Sequence, residues 1–169
     1  SKRGVDLAGE FRYLEPTYKG ELRASLLPND QLRNSNRWSY SYLHSGAFST
    51  GLAAVGSLGV NLNLNRVSDD NYWRDFSGFG SAGSSTLLTQ RLLPSDASLS
   101  WGRGYFSTTL RTLKWQTLQD VNSPIVPPYD RMPQLTAAYT RANVPVGGLG
   151  GLDYSISTDY TRFESDRRL

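Results

Sequence analysis

The sequence predicts an all-β fold, an antiparallel up-and-down meander of about eight strands. Three observations carry that reading. Apolar and polar residues alternate with a period of two, most cleanly where Leu58, Val60, Leu62 and Leu64 fall on one face and Asn61, Asn63 and Asn65 on the other. No 3.6-residue periodicity persists, so no helix is required. The connections between alternating runs read short, long, short, long, as in barrels with tight turns on one side and long loops on the other.

The elements follow in order. Val5, Leu7, Phe11 and Tyr13 alternate with Asp6, Glu10 and Arg12; after a turn at Glu15-Pro16-Thr17, Tyr18, Leu22, Ala24 and Leu26 alternate with Lys19, Glu21 and Arg23. This is the clearest hairpin. Pro28–Arg37 reads as a polar loop, and Trp38, Tyr40 and Tyr42 then share one face of the next strand. A small-residue turn near Gly46–Thr50 leads to the strand that ends at Arg66, and Ser68–Ser85 reads as a long loop. Thr86–Trp101 fits two short strands around Pro94-Ser95-Asp96 or one long strand; the regularity of the connections favours one, although proline in strands is found mainly at edges and bulges. Gly102-Arg103-Gly104 is a tight turn, Tyr105–Leu118 a strand, and Asp120–Pro133, with four prolines, a loop. Strands at Gln134–Ala142 and Leu152–Phe163 flank the turn Gly147–Gly151.

Composition narrows the class. The 169 residues are 38% hydrophobic but 12% aromatic, with 10 Tyr and 4 Trp, a balance that suits rings placed at a boundary between oil and water. A net charge of +3 does not argue for nucleic acid. Cysteine is absent, which removes disulfides and Cys-type zinc sites within this stretch. No apolar run is long enough for a transmembrane helix. The start at Ser1-Lys2-Arg3 rather than Met reads as an excerpt or a processed product.

Alternation alone leaves two answers open, because the apolar face can line a soluble core or face lipid. Three features favour lipid. The polar faces of the first hairpin carry full charges of both signs; the apolar sets mix Leu and Val with Ala and Gly, which would fill a core poorly; and Tyr13, Tyr18, Trp38, Tyr105 and Tyr139 lie near strand ends. Arg or Lys on a lipid face costs about 2–4 kcal/mol at the midplane. Asp6, Glu10, Arg12, Lys19, Glu21, Arg23, Asn61, Asn63 and Asn65 are therefore the candidates for a water-filled lumen.

Several motifs recur in a fixed order: Lys2-Arg3-Gly4, Gly9–Leu14, Leu27-Pro28-Asn29-Asp30, Arg37-Trp38, Arg66–Phe76 and Pro127–Leu135. Together they resemble the early barrel of the LptD (Imp/OstA) family of lipopolysaccharide-assembly proteins, over about residues 2–140. The resemblance implies an outer-membrane barrel of about 26 strands, of which this chain would hold roughly the second through ninth. The periplasmic N-terminal jellyroll and the closing C-terminal strands would lie outside it. It further implies a non-enzymatic role in placing lipopolysaccharide in the outer leaflet. The implied partners are an LptE-like lipoprotein plug, a periplasmic LptA-like bridge reached through the jellyroll, lipopolysaccharide and membrane lipids, with no cofactor.

Within those motifs, Asp69, Asp70 and Asp75 have the chemistry of a calcium site; the plainer reading is a solvated loop in which they pair with Arg66 and Arg74. The resemblance places this loop on the outer surface, where Tyr72, Trp73 and Phe76 would fold inward to help close the barrel mouth. Pro127, Pro128, Tyr129, Asp130, Arg131 and Pro133 read as a stiff loop, or as one tucked into the lumen with Asp130 and Arg131 making contacts. His44 is the only histidine, so a His-based triad or metal site would have to use it, and no serine or carboxylate is marked as its partner. Gly78, Gly80 and Gly83 do not follow a strand-turn-helix pattern, so they make no phosphate loop. Two other functions compete with the translocon wall. A self-contained eight-stranded barrel for ligand binding or anchoring requires the first and last strands to pair. A soluble saccharide-binding domain requires Leu58, Val60, Leu62 and Leu64 to be buried.

Overall fold

A computed structural model describes residues 3–51, 55–76 and 91–165. Eight antiparallel strands form one sheet in sequence order: β1 (Leu7–Leu14), β2 (Tyr18–Asp30), β3 (Ser35–Ser49), β4 (Ser57–Val67), β5 (Leu92–Arg103), β6 (Phe106–Thr117), β7 (Asp130–Val146) and β8 (Leu149–Glu164). The predicted meander is the observed one. Between β4 and β5 lies a single helical turn, α1 (Tyr72–Asp75), that the periodicity did not call for. Four residues are too few to leave a periodic signature, and the turn is closed by Asp75 N–H and Phe76 N–H donating to Asn71 and Tyr72 carbonyls.

Both edge strands are open, since β1 pairs only with β2 and β8 only with β7. The pairing required of a closed eight-stranded barrel is therefore missing. Leu58, Val60, Leu62 and Leu64 are half-exposed rather than enclosed, so a buried soluble core over these residues is also missing. Leu7, Phe11, Leu22, Leu26, Leu99, Leu110, Leu135, Ile156 and Tyr160 lie exposed, and alternation puts them on one face. The opposite face of the same ladders carries Glu10 against Arg23, Ser41 against Asn65, Asn61 against Ser98 and Asp96 against Leu113.

The strands are also staggered. A line straight across the ladders runs Tyr18, Gly46, Val60, Leu99, Leu110, Leu135, Tyr160. Tyr18 opens β2 at its turn, whereas Leu135 sits well inside β7, which runs on to Val146. The turn ends thus climb steadily relative to the hydrogen-bonding direction, which is the inclination that a barrel wall requires.

The strands outrun their predicted limits in several places. Pro28–Arg37 is not a ten-residue loop: β2 continues to Asp30 through an irregularity between Leu27 and Asp30, and only residues 31–34 turn. Asn29 and Asn34 take left-handed backbone (φ 53° and 51°), which asparagine tolerates. The turn expected at Gly46–Thr50 lies at 50–56, and Gly46 is inside β3. A Cβ there would collide with Tyr18, its ladder partner, so the glycine makes room for an aromatic neighbour. Near Pro127–Leu135, β7 already starts at Asp130 and absorbs Pro133 at a register shift. The two-residue turns are Gly104-Tyr105 and Gly147-Gly148, with β5 reaching Arg103 and β8 starting at Leu149. Pro94 lies inside a single β5, opposite Trp115 on β6 and just past the last β4 pair, Leu64 with Ser95. The part of the Thr86–Trp101 prediction before Arg91 lies outside the described residues, as do Gly78, Gly80 and Gly83.

On the apolar face, the Tyr13 ring lies across Gly20, and its hydroxyl meets the Tyr42 hydroxyl at 2.8 Å and His44 Nδ1 at 2.5 Å. Tyr18 and Phe48 stack on the same imidazole. His44 is thus part of an aromatic cluster at the short-turn end. A Gly20→Ala substitution in the full-length protein should cost about 1–3 kcal/mol, because the ring must leave its place. Gly9→Ala, where nothing lies within 4 Å, should stay within about 0.5 kcal/mol. Urea unfolding midpoints of the refolded barrel compare the two; equal midpoints would refute the ring-over-glycine packing.

Candidate functional site

The polar face of the sheet is the surface with organised chemistry, and it is built ladder by ladder. Glu10 faces Arg23 and Arg12 faces Glu21 across β1 and β2. The four close a ring of ion pairs: Arg12 to Glu10 and to Glu21 (3.3 Å), and Arg23 to Glu10 (3.2 Å) and to Glu21 (2.5 Å). These side chains are partly solvated, so the ring orders the surface more than it stabilises it. Asp6 accepts a hydrogen bond from Ser25 Oγ at 2.6 Å. Asn65 is fully buried; its Oδ1 accepts from Ser41 Oγ (2.9 Å), and its Nδ2 donates to Asn63 Oδ1 (2.7 Å) and the Pro94 carbonyl (3.0 Å).

All nine lumen candidates named from sequence sit on or beside this face. An open groove of about 880 Å³ runs along it, bordered among others by Arg12, Lys19, Asn61, Asn63, Asp96 and Arg111. The Asp96–Arg111 pair, held by Nε bonds of 3.0 Å to both carboxylate oxygens, was missed. Extending the two-residue alternation through β5 and β6 would have found it.

At the other end of this face the connections fold over it. Arg37 lies on β3 with its side chain only 1% exposed, and it gathers carboxylates from distant segments. Its Nε and Nη2 donate to the two oxygens of Asp69 (2.8 and 2.9 Å), and its Nη1 donates to Asp75 (2.6 Å) and Asp30 (3.3 Å). The guanidinium lies over the Phe76 ring at 4.7 Å and Tyr72 at 5.4 Å. Arg3, ahead of β1, bonds Asp30 (2.8 Å) and Asp75 (2.9 Å), and Arg33 reaches Asp75 at 3.2 Å. Three arginines thus meet three aspartates, so the charges of the cluster, of which Arg37 and Asp30 are buried, are matched in number. Tyr72 stacks on Phe76 at 4.5 Å and donates its hydroxyl to Ser39 Oγ at 2.9 Å, on the polar face itself. With Leu27, Val67, Leu93 and Leu118, these two rings make the molecule's one packed apolar cluster among the described residues.

The remaining loop residues separate into partners and bystanders. The guanidiniums of Arg74 and Arg91 both lie over the Trp73 ring, at 5.3 and 5.6 Å. Arg74 pairs with Asp120 of the β6–β7 connection, and Arg91 holds the Leu118 carbonyl at 3.1 Å. The expected pairing of Asp69 and Asp75 with Arg66 and Arg74 is therefore replaced by pairing with Arg37, because Arg37 presents a buried fork where Arg66 is exposed. Asp70 is exposed, and the Asp69 and Asp75 oxygens are occupied by guanidiniums. Asp130 is buried and accepts the Trp115 N–H at 2.8 Å, tying the start of β7 to β6. Tyr129 is exposed and meets Phe163 edge-on, while Arg131 is half-buried in the ladder. Pro127 and Pro128 precede that strand. Nothing in the sequence marked Arg37 as the hub, since its partners lie up to 38 residues away.

The model of the family LptD, LPS transport system D, matches residues 35–169. The chain belongs to the LptD family. It is similar to the LPS-assembly protein LptD of Polaromonas sp., 66% identical over the whole chain, and to that of Albidiferax ferrireducens, 57% identical over the whole chain. A more distant LptD, from Ralstonia nicotianae, is 37% identical over 96% of the chain. The chain spans about a fifth of the length of these relatives, 20%, 20% and 18% respectively.

Burial alone would push the Asp75 carboxyl up, but hydrogen bonds from Arg37, Arg33 and Arg3 outweigh it and hold this group below the usual carboxylate range. A folded pKa below the unfolded value of about 3.9 means that the contribution to docking is complete above that value. It is lost as pH falls through the depressed folded value. Acid should therefore undock the 68–76 segment before the ladders melt. Trp73 emission followed from pH 6 to pH 2, with tryptophan replaced elsewhere, checks this; an emission unchanged until global unfolding would refute it.

Proposed function

We propose that this chain is a stretch of the wall of a large outer-membrane β-barrel that assembles lipopolysaccharide into the outer leaflet. The observation that carries the reading is the joint one: an LptD-family sequence folded as an open, staggered sheet with one exposed apolar face and one ion-paired polar face. In hydrocarbon every backbone polar group needs an internal partner, and an inclined antiparallel sheet supplies them once its edges find neighbours. The apolar face meets lipid. The face bearing Glu10, Arg12, Glu21, Arg23, Asn61, Asn63 and Asn65 lines the lumen, where charges of both signs stay hydrated.

In this reading the chain is about strands two to nine of a barrel of about 26, and its two edges continue into neighbouring strands. An LptE-like lipoprotein plug and the saccharide of passing lipopolysaccharide meet the polar face. An LptA-like bridge delivers substrate through a jellyroll that is not part of this chain. The role is positional, with no bond made or broken. Residues 68–76, docked on Arg37, lie at the long-loop end, which is the outer surface.

Two experiments test this. Depletion of the parent gene should remove newly made lipopolysaccharide from the cell surface, read by surface-specific labelling; normal surface labelling would sink the proposal. In the full-length protein, Leu62→Arg should lower barrel stability by about 2–4 kcal/mol, the cost of a cation at the lipid midplane, while Asn61→Arg one residue away should be tolerated. Equal effects of the two would mean that the faces are assigned wrongly.

A further inference from the structure

We propose that Arg37 is the positioning residue of a latch, a two-state device that holds residues 68–76 closed over the long-loop end of the polar face. The inference rests on the barrel-wall reading for the place of that face, but its geometry is independent of it. Three separate segments converge on the guanidinium: Asp30 of β2, Asp69 and Asp75 of the β4–β5 connection, and, through shared carboxylates, Arg3 ahead of β1. Each side of the fork is occupied, and Phe76 and Tyr72 lie against its face.

That arrangement uses what only arginine offers, a planar fork with bidentate and stacking contacts at once. It is also all-or-none. Asp69, Asp75 and Phe76 stand on one short connection, so releasing the 68–76 segment takes two of the three carboxylates and the ring from the guanidinium together and leaves it Asp30 alone at 3.3 Å. The latch therefore has a docked state and an undocked state with little between them. In the docked state the Tyr72 hydroxyl donates to Ser39, which is 6% exposed at the upper end of a polar row in which Ser41, bonded to Asn65, is also buried and Ser45 is exposed. Undocking uncovers that end of the face, while the groove at the opposite end is open in either state. The wall has support besides the latch: Arg37 is one rung of the β2–β3 ladder, opposite Leu27, and the hydrogen bonds and ion pairs of its side chain given above do not involve the residues paired in the β1–β2, β3–β4 and β5–β6 ladders.

The test uses full-length protein in intact cells. Ser39→Cys places a reporter thiol beneath Tyr72, and a membrane-impermeant maleimide added from outside reads its exposure. With Arg37 native the thiol should stay unlabelled. Combined with Arg37→Met it should label to at least half of the protein, and with Arg37→Lys likewise, since an ammonium cannot make the bidentate and stacked contacts together. Asp69→Asn, which leaves the Arg37 pairs with Asp30 and Asp75, serves if the Arg37 variants fail to accumulate, and should label at a rate several-fold above background. Arg66→Ala, an exposed arginine on the neighbouring strand β4, should leave the thiol unlabelled. Labelling with Arg37 native, or no labelling in correctly inserted Arg37→Met and Asp69→Asn proteins, would overturn the latch alone. A parent protein that fractionates away from the outer membrane would instead overturn the wall reading.

Discussion

A sheet that turns its large apolar side chains outward has no core of its own to hold it. That constraint governs the rest of the molecule. Exposed Phe11, Leu22, Leu99, Leu110 and Ile156 gain nothing from burial against protein, so cohesion within the described wall comes from the ladders and from side chains facing one another across them. The consequences are visible locally. Glycines stand where an aromatic neighbour needs room, as Gly20 does under Tyr13 and Gly46 beside Tyr18. Amides complete hydrogen bonds where strands part: Gln116 bonds both the N–H (3.0 Å) and the carbonyl (2.8 Å) of Val67, beyond the last residue that β4 pairs with β5.

The long-loop end obeys different rules. There Leu27, Val67, Tyr72, Phe76, Leu93 and Leu118 are buried as in a soluble domain, and the polar groups among them are matched. Arg37 sets this arrangement. A guanidinium so deeply buried is costly unless paired, and the pairing here is with three carboxylates, two of which arrive on one connection. The connection is fixed because the strand below it carries a charge that requires it.

How much of this was legible in the sequence follows from the range of the forces involved. The wall was legible because alternation is local: Leu58 to Asn65 announce their two faces without reference to any other segment, and the nine polar candidates gather on one side as that pattern requires. Strand ends were less so. Pro28, Gly46 and Pro133 look like breakers, but a long inclined strand absorbs them as bulges, close approaches or unpaired positions. The one-turn helix was too short to register. Arg37 was invisible for another reason. Its partners Asp69 and Asp75 come from the connection beyond the next strand, β4, and the nearer arginines 66 and 74 offered a simpler pairing that exposure defeats.

The two regions should therefore differ in their response to change, and the difference follows from where free energy is concentrated. Along the wall the ion pairs are partly solvated and share partners; Arg23, for example, reaches both Glu10 and Glu21. Loss of one partner leaves the other with water or a second partner, so single substitutions on that face are buffered. At the hub the contacts converge on one guanidinium that is 1% exposed, so loss of Arg37 itself removes a partner from Asp30, Asp69 and Asp75 and the cation from the Phe76 and Tyr72 rings at once. On the barrel-wall reading proposed above, a hydrated polar face benefits from the first kind of surface. A connection that must stay over one end of that wall benefits from the second. The chain places the two within a single strand, β3, where Ser41 and Ser45 continue the wall and Arg37, two residues before Ser39, begins the hub.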